Sequence, residues 1–163
     1  MIRTIQIEGF KSIVSQSLEL GRVNCFIGTN GVGKSNILEA IGVLGAAANG
    51  KVDDESLMRR GVRAGMPRLY KTSFEVGRVP PQITLSAKED SGAAYKISLL
   101  NPLGNPNPAW EFKTEYLSDG KTDIVSRGVR SEKTNLAGIA GLSALKVVEL
   151  GLDNKAAQLI QQL

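Results

Sequence analysis

The sequence predicts a mixed α/β fold in which a strand, a glycine-rich loop and a helix are flanked by an antiparallel β-sheet and closed by C-terminal helices. Three observations support it: a loop starting at Gly28 joins an apolar run to a helical pattern, residues 72–127 alternate with a period of two, and residues 135–163 return to helical spacing. We therefore expect residues 1–163 to form one domain, with residues 1–50 as the β–loop–α core.

The core begins with two half-buried strands, since apolar and polar residues alternate over residues 2–8 and again over residues 15–20. Residues 23–27 form a nearly continuous apolar run, which predicts a strand buried on both faces, with Cys25 as an inert, buried thiol. Helical spacing then runs from Lys34 to about Ala48 and ends at Asn49-Gly50.

The charged residues 51–60 leave room for a short helix, and residues 61–67 read as a surface loop. Strands are predicted near residues 72–76, 82–88, 94–100, 110–117 and 122–126, as an antiparallel meander. Three prolines make residues 101–108 a long hairpin loop. The tail predicts two short helices broken near Gly151, with Asp153 as the N-cap of the second.

Composition limits the chemistry that the chain can perform. Cys25 is the only cysteine and there is no histidine, which excludes an intrachain disulfide, a Cys/His zinc site and a histidine base. No apolar run approaches the ~20 residues of a membrane span, and no secretory signal is visible, so we expect a cytoplasmic protein without a membrane anchor. The net charge of +4 makes anionic partners, DNA among them, plausible.

The loop matches the phosphate-binding pattern G-x-x-x-x-G-K-[ST] in full: Gly28-Thr29-Asn30-Gly31-Val32-Gly33-Lys34-Ser35. Glycines let successive backbone N–H groups turn inward around phosphate oxygens, and the following helix adds its positive N-terminus. We expect Lys34 to reach the β- and γ-phosphates and the Ser35 hydroxyl to ligate Mg²⁺. The sequence thus predicts a nucleoside triphosphate site, with ATP favoured over GTP.

Residues 28–41, together with Gly9-Phe10-Lys11-Ser12-Ile13, resemble the ABC-type ATPase heads of SMC, RecF and OLD-family proteins over about the first fifty residues. Residues 58–65 and 70–74 are similar to stand-alone OLD-like ATPases, several of which act in phage defence. The resemblance implies ATP and Mg²⁺ as ligands. The residues that it implies as binding are Lys11, Ser12, Gly28, Asn30, Gly31, Val32, Gly33, Lys34, Ser35 and Asn36.

Two groups of residues, one in this set and one outside it, have an alternative interpretation. Lys11 and Ser12 could form a solvated turn between two strands instead of lying beside the phosphates. The basic residues Arg59, Arg60 and Arg63 follow the first helix where SMC heads can present an arginine to DNA or nucleotide, but a solvated face with ordinary ion pairs is the favoured reading.

Several parts of an ABC-type head are missing from the sequence. No apolar strand ends in Asp-Glu, no switch histidine exists, and the nearest approach to a signature loop, residues 117–121, reads as a hairpin turn. No catalytic residue is therefore assigned. We expect an N-terminal part of a longer or split ATPase, with apolar surface exposed where the remaining half would pack.

The resemblance also implies a function for the longer protein. Two heads would sandwich ATP in a homodimer or higher oligomer, and hydrolysis would serve DNA repair or antiviral defence. An alternative is a nucleotide-binding sensor that regulates an effector without turnover. A small-molecule kinase is disfavoured by the long antiparallel region, because such kinases continue with alternating helices and parallel strands.

Overall fold

A computed structural model describes residues 1–72, 82–107, 109–128 and 143–163. Its main element is one antiparallel sheet of six strands in the order β2-β1-β3-β4-β5-β6. The strands are β1 Ile2–Phe10, β2 Ile13–Glu19, β3 Gln82–Glu89, β4 Ala94–Leu100, β5 Glu111–Ser118 and β6 Asp123–Arg127.

Strand β1 lies inside the sheet because its alternating apolar residues can pack on one face while both of its edges are hydrogen-bonded. Ile7 stands opposite Gln16 of β2 on one side and Leu85 of β3 on the other. Its side chain is fully buried, as is that of Phe10 at the end of the strand. The strand predicted at residues 2–8 is confirmed, and so is its neighbour at residues 15–20.

Strands β3 to β6 form the predicted meander, in which each strand pairs with the next. The last turn is held by Asp119, whose side chain accepts hydrogen bonds from the backbone N–H groups of Lys121 and Thr122, both at 2.8 Å. Gly120 has a φ of 92°, and a Cβ there would lie 2.9 Å from the Gly92 backbone. Residues 117–121 are therefore a hairpin turn and not a signature loop.

The helices lie against this sheet or at its ends. They are α1 Lys34–Ala48, α2 Asp54–Arg59 and α3 Lys155–Gln162, with short 3₁₀ helices at Pro67–Tyr70 and Ala144–Val147. Helix α1 has the predicted bounds and buries Val43 and Leu44 in the core. The short helix expected within residues 51–60 is confirmed as α2.

The C-terminal tail differs from the prediction in its cap. The N-cap of α3 is Asn154, whose side chain accepts a hydrogen bond from Ala156 N at 2.8 Å, and not Asp153. Asn154 directly precedes the first helical residue, where a short polar side chain can reach the free N–H groups. Of the first helix predicted in the tail, the described residues contain the 3₁₀ turn Ala144–Val147, and residues 135–142 lie outside the described residues.

The largest difference concerns residues 23–27. They form no strand, and Val23 and Ile27 are 90% and 89% exposed. Cys25 is exposed as well, so the expected buried thiol is wrong. A strand needs a neighbour for its hydrogen bonds, and none of the strands in the described ranges pairs with this segment. The strand predicted near residues 72–76 lies, apart from Thr72, outside the described residues.

Candidate functional site

The glycine-rich loop runs over the surface between residues 28 and 33 and turns sharply into α1. Gly31 and Gly33 have φ angles of 86° and 103°, in the left-handed region that glycine adopts most easily. A Cβ on Gly33 would lie 2.9 Å from Ser12 Oγ, so the turn also needs the small residue for space. Asn30, Gly31 and Val32 are exposed, which leaves the loop open to a ligand.

Lys34 folds back over this loop. Its Nζ donates hydrogen bonds to the carbonyl oxygens of Gly28 and Thr29, both at 2.7 Å. These contacts close residues 28–34 into a ring through the ammonium group of Lys34. The ammonium group is thus positioned where an anion entering the loop would meet it.

The N-terminus of α1 faces the same opening. Gly33 is its N-cap, and no side chain of the described residues caps the first turn, which contains no acidic residue. A 15-residue helix therefore presents unsatisfied N–H groups and a positive dipole end there. Such a terminus suits a phosphate group, which supplies both the acceptors and the negative charge.

Lys11 and Ser12 lie in the turn between β1 and β2, directly beside this helix. Ser12 Oγ accepts a hydrogen bond from Asn36 Nδ2 at 2.7 Å, which connects the turn to the first turn of α1. Lys11 has a φ of 48°, and its backbone N–H donates to Tyr70 O at 2.9 Å. Its side chain is only 14% exposed, so the structure does not support a freely solvated turn.

Lys11 forms an ion pair with a buried carboxylate that the sequence analysis did not identify. Glu39 on α1 is 5% exposed and accepts hydrogen bonds from Lys11 Nζ and from Arg63 Nε. Lys11 Nζ also lies 5.1 Å from the ring centre of Tyr70. Burial raises the pKa of Tyr70, and the nearby carboxylates of Asp54 and Glu39 add to that rise. No local signal marks Glu39, because its two partners lie far away in the sequence.

The three arginines of the basic cluster separate in the structure. Arg59 pairs with Glu55 one turn earlier on α2, and both side chains are exposed. Arg60 donates to the carbonyl oxygen of Leu163. Of the three, Arg63 approaches the first turn of α1, where its Nη2 donates to Asn36 Oδ1 at 3.3 Å. Ordinary ion pairing thus describes Arg59, whereas Arg63 joins the network around Asn36 and Glu39.

Ser35 is the second residue of α1 and is exposed, which makes its hydroxyl available to a metal ion held by a phosphate. Over the ranges that the structure describes, no three carboxylate or thiol groups are close enough to hold a metal ion by themselves. Mg²⁺ at Ser35 would therefore need phosphate oxygens and water as its other ligands, as Mg²⁺ commonly does.

None of the helices in the described part of the chain has the length and apolar character needed to cross a lipid bilayer.

Comparison with known proteins identifies the family. The family model described as "AAA ATPase domain" matches residues 1–90, which contain β1, β2, the loop, α1 and β3. No curated protein matches the chain. The matched region is more than half of the 163 residues and includes every residue of the loop. The chain therefore belongs to the AAA ATPase domain family, a family of nucleotide-binding ATPases.

Proposed function

We propose that this chain binds ATP with Mg²⁺ on residues 28–36. The observation that carries the proposal is that Lys34 closes an exposed loop onto the carbonyl oxygens of Gly28 and Thr29, and that this loop leads directly into the uncapped N-terminus of α1. Backbone amides, a lysine ammonium group and a helix dipole would then attract the same bound anion, and all three favour a polyphosphate.

Each proposed binding residue has a role that fits its position. The backbone N–H groups of Asn30, Gly31, Val32 and Gly33 surround the phosphates, and Lys34 exchanges its two carbonyl partners for β- and γ-phosphate oxygens. Bound Mg²⁺ neutralises the charge that develops on the phosphates. Ser35 contributes one ligand to that ion. Asn36 and Ser12, already joined at 2.7 Å, border the loop at its helical end.

We further propose that residues 1–163 form a single N-terminal lobe of an ABC-type head of the SMC/RecF/OLD-like group. Two observations support this. Within the Gly-Phe-Lys-Ser-Ile element, Ser12 lies against Gly33 and Asn36, and Lys11 pairs with Glu39 on the helix that follows the loop. The extended segment before the loop exposes Val23 and Ile27, which further strands from another part of the protein or a partner subunit would cover.

In this reading the longer protein is the ATPase, and its work is DNA repair or antiviral defence in the cytoplasm. The loop contributes binding and charge stabilisation, while the base and the signature loop come from the second half or from the partner head. Glu39 is a buried carboxylate on the helix that follows the loop, and its two oxygens already accept hydrogen bonds from Lys11 and Arg63. It is therefore a poor candidate for a base.

A second candidate is a nucleotide sensor that binds ATP and regulates an effector without turnover. It is favoured by the absence of any Asp-Glu pair after an apolar run in the sequence. The two candidates differ in whether bound ATP is consumed.

Turnover and assembly decide between the candidates. Phosphate release and molar mass are measured with and without Mg²⁺–ATP on the gene product that contains this chain, with Lys34→Ala as the negative control. ATP-dependent dimerisation with phosphate release supports the ATPase head. Binding without phosphate release supports the sensor, and an ATP response that Lys34→Ala leaves intact contradicts both.

A further inference from the structure

Beside the phosphate loop, a single buried carboxylate holds two cations. Glu39 is 5% exposed, and its Oε2 and Oε1 accept from Lys11 and Arg63 respectively. Two positive charges against one negative charge leave this group with a net charge of +1. Lys34 adds a further positive charge at the adjoining loop.

The cations differ in how far they are fixed. Lys11 is 14% exposed and lies near the rings of Phe10 and Tyr70, with Nζ 5.5 Å and 5.1 Å from their centres. The Arg63 side chain is 66% exposed, although its backbone carbonyl accepts from Tyr70 Oη at 2.8 Å. Glu39 and Asn36 are thus the contacts that hold the exposed guanidinium in one position.

That position is connected to the loop by a short chain of hydrogen bonds. Arg63 Nη2 donates to Asn36 Oδ1, and Asn36 Nδ2 donates to Ser12 Oγ, which fills the space beside Gly33. The same residues border the end of the loop where Lys34 and Ser35 would meet the β- and γ-phosphates. The guanidinium of Arg63 is therefore held on the side of the loop where the proposed site would take the terminal phosphates.

We propose that Glu39 is a positioning residue for the nucleotide, which holds Arg63 and Lys11 as a pair at the terminal phosphates. This inference rests on the proposed ATP site. A long, exposed arginine that is fixed before binding loses less conformational freedom when it contacts a phosphate. Because the pair adjoins the end of the loop, we expect it to raise the affinity for a nucleoside triphosphate more than the affinity for a diphosphate.

The test compares two ligands across a small set of variants. Affinities for Mg²⁺–ADP and for a non-hydrolysable ATP analogue with an imido bridge are measured on wild type, Glu39→Gln, Arg63→Gln and the double variant. Glu55→Gln is the matched control, because it removes a carboxylate from the exposed pair with Arg59 on α2. Thermal denaturation verifies that each variant is folded.

We expect Glu39→Gln and Arg63→Gln each to weaken the triphosphate analogue about tenfold, the size of one charge-assisted hydrogen bond. ADP should weaken by less than about threefold, and Glu55→Gln should change neither affinity. The double variant should lose less than the sum of the two single losses, because part of the effect of Glu39 acts through Arg63.

Three results would overturn the proposal: an unchanged ratio of the two affinities in folded Glu39→Gln, equal losses for both ligands, or additive losses in the double variant. If Glu39→Gln fails to fold, Arg63→Gln decides, since unchanged triphosphate affinity in that exposed variant contradicts the proposal. A wrong assignment of the ATP site itself would give a different result, because wild type would then bind neither ligand.

Discussion

The sheet and the segment before the phosphate loop have similar apolar side chains and opposite environments. Ile7 in β1 is fully buried between two paired strands, whereas Ile27, one residue before the loop, is 89% exposed. Both residues stand in apolar, strand-like sequence. Burial is therefore set by the neighbouring strands and not by the side chain alone. The strands inside the sheet have hydrogen-bonded neighbours on both sides. Residues 23–27 have the sequence of a buried strand, but none of the described strands pairs with them.

The same substitution at the two isoleucines tests this contrast most strongly. Ile7→Ala should lower the free energy of unfolding by about 2–5 kcal/mol, because it leaves a cavity in the core. Ile27→Ala should change it by no more than ~0.5 kcal/mol, as is usual for exposed positions. Urea unfolding of both variants measures the difference. Equal losses would mean that residues 23–27 are packed in solution.

The next largest effect is expected where the sheet anchors the C-terminal segment. The fully buried Glu115 accepts hydrogen bonds from Tyr95 Oη at 2.8 Å, from the Ser143 hydroxyl and from Ala144 N at 2.6 Å. Burial, followed by the charge of Glu115, raises the pKa of Tyr95 well above its usual range. Glu115→Gln should cost about 2 kcal/mol and Tyr95→Phe about 1 kcal/mol in urea unfolding.

Unchanged stability of Glu115→Gln would contradict this anchoring role. Exposed Glu111→Gln on the same strand is the control, and it should lie within about 0.5 kcal/mol of wild type.

A smaller, pH-dependent effect is expected at the start of α2. The pKa of Asp53 is lowered from 3.8 to about 2, chiefly by its hydrogen bond with Lys51 and further by its capping bonds to Ser56. A lowered pKa in the folded state stabilises the protein above pH ~4, and this contribution disappears as pH falls towards ~2.

Asp53→Asn retains the cap and removes the charge. Its free energy of unfolding should be about 1 kcal/mol lower than that of wild type at neutral pH, and the two values should converge near pH ~2. Glu89, whose pKa is also lowered to about 2, is present in both proteins and cancels in the difference. Thermal unfolding across this pH range measures the effect, and a constant difference would refute it.

The smallest expected effect concerns Cys25, which is exposed in the segment before the loop. A thiol reagent should modify it in the native chain at a rate within about tenfold of the rate in urea, since no local unfolding is needed for access. Protection by several orders of magnitude would place Cys25 in a packed strand. If the missing strands are added by a longer gene product, the same assay should show protection there.

The parts of the fold that the sequence predicts well depend on local chemistry. The strands β3 to β6 alternate clearly and are separated by turn residues such as Asp119-Gly120, and helix α1 has its predicted bounds from Lys34 to Ala48. The loop geometry is equally local, because glycines and the following helix determine the path of the backbone.

The missed features depend on residues that are distant in the sequence. An apolar run at residues 23–27 predicts a buried strand only if neighbours are present, so the environment of Cys25 could not be read locally. Glu39 is bound by Lys11 and Arg63, which are 28 and 24 residues away. The N-cap of α3 is a local exception, because the prediction at Asp153 is one residue away from the observed cap at Asn154.

Calorimetric titration with Mg²⁺–ATP tests directly whether residues 28–36 bind the phosphates of ATP. Lys34→Ala removes the ammonium group that closes the loop, while Lys113→Ala removes an exposed lysine of β5 as a control. We expect Lys34→Ala to bind roughly 10- to 100-fold more weakly than wild type, and Lys113→Ala to bind equally well. Equal affinity in wild type and Lys34→Ala would contradict the account.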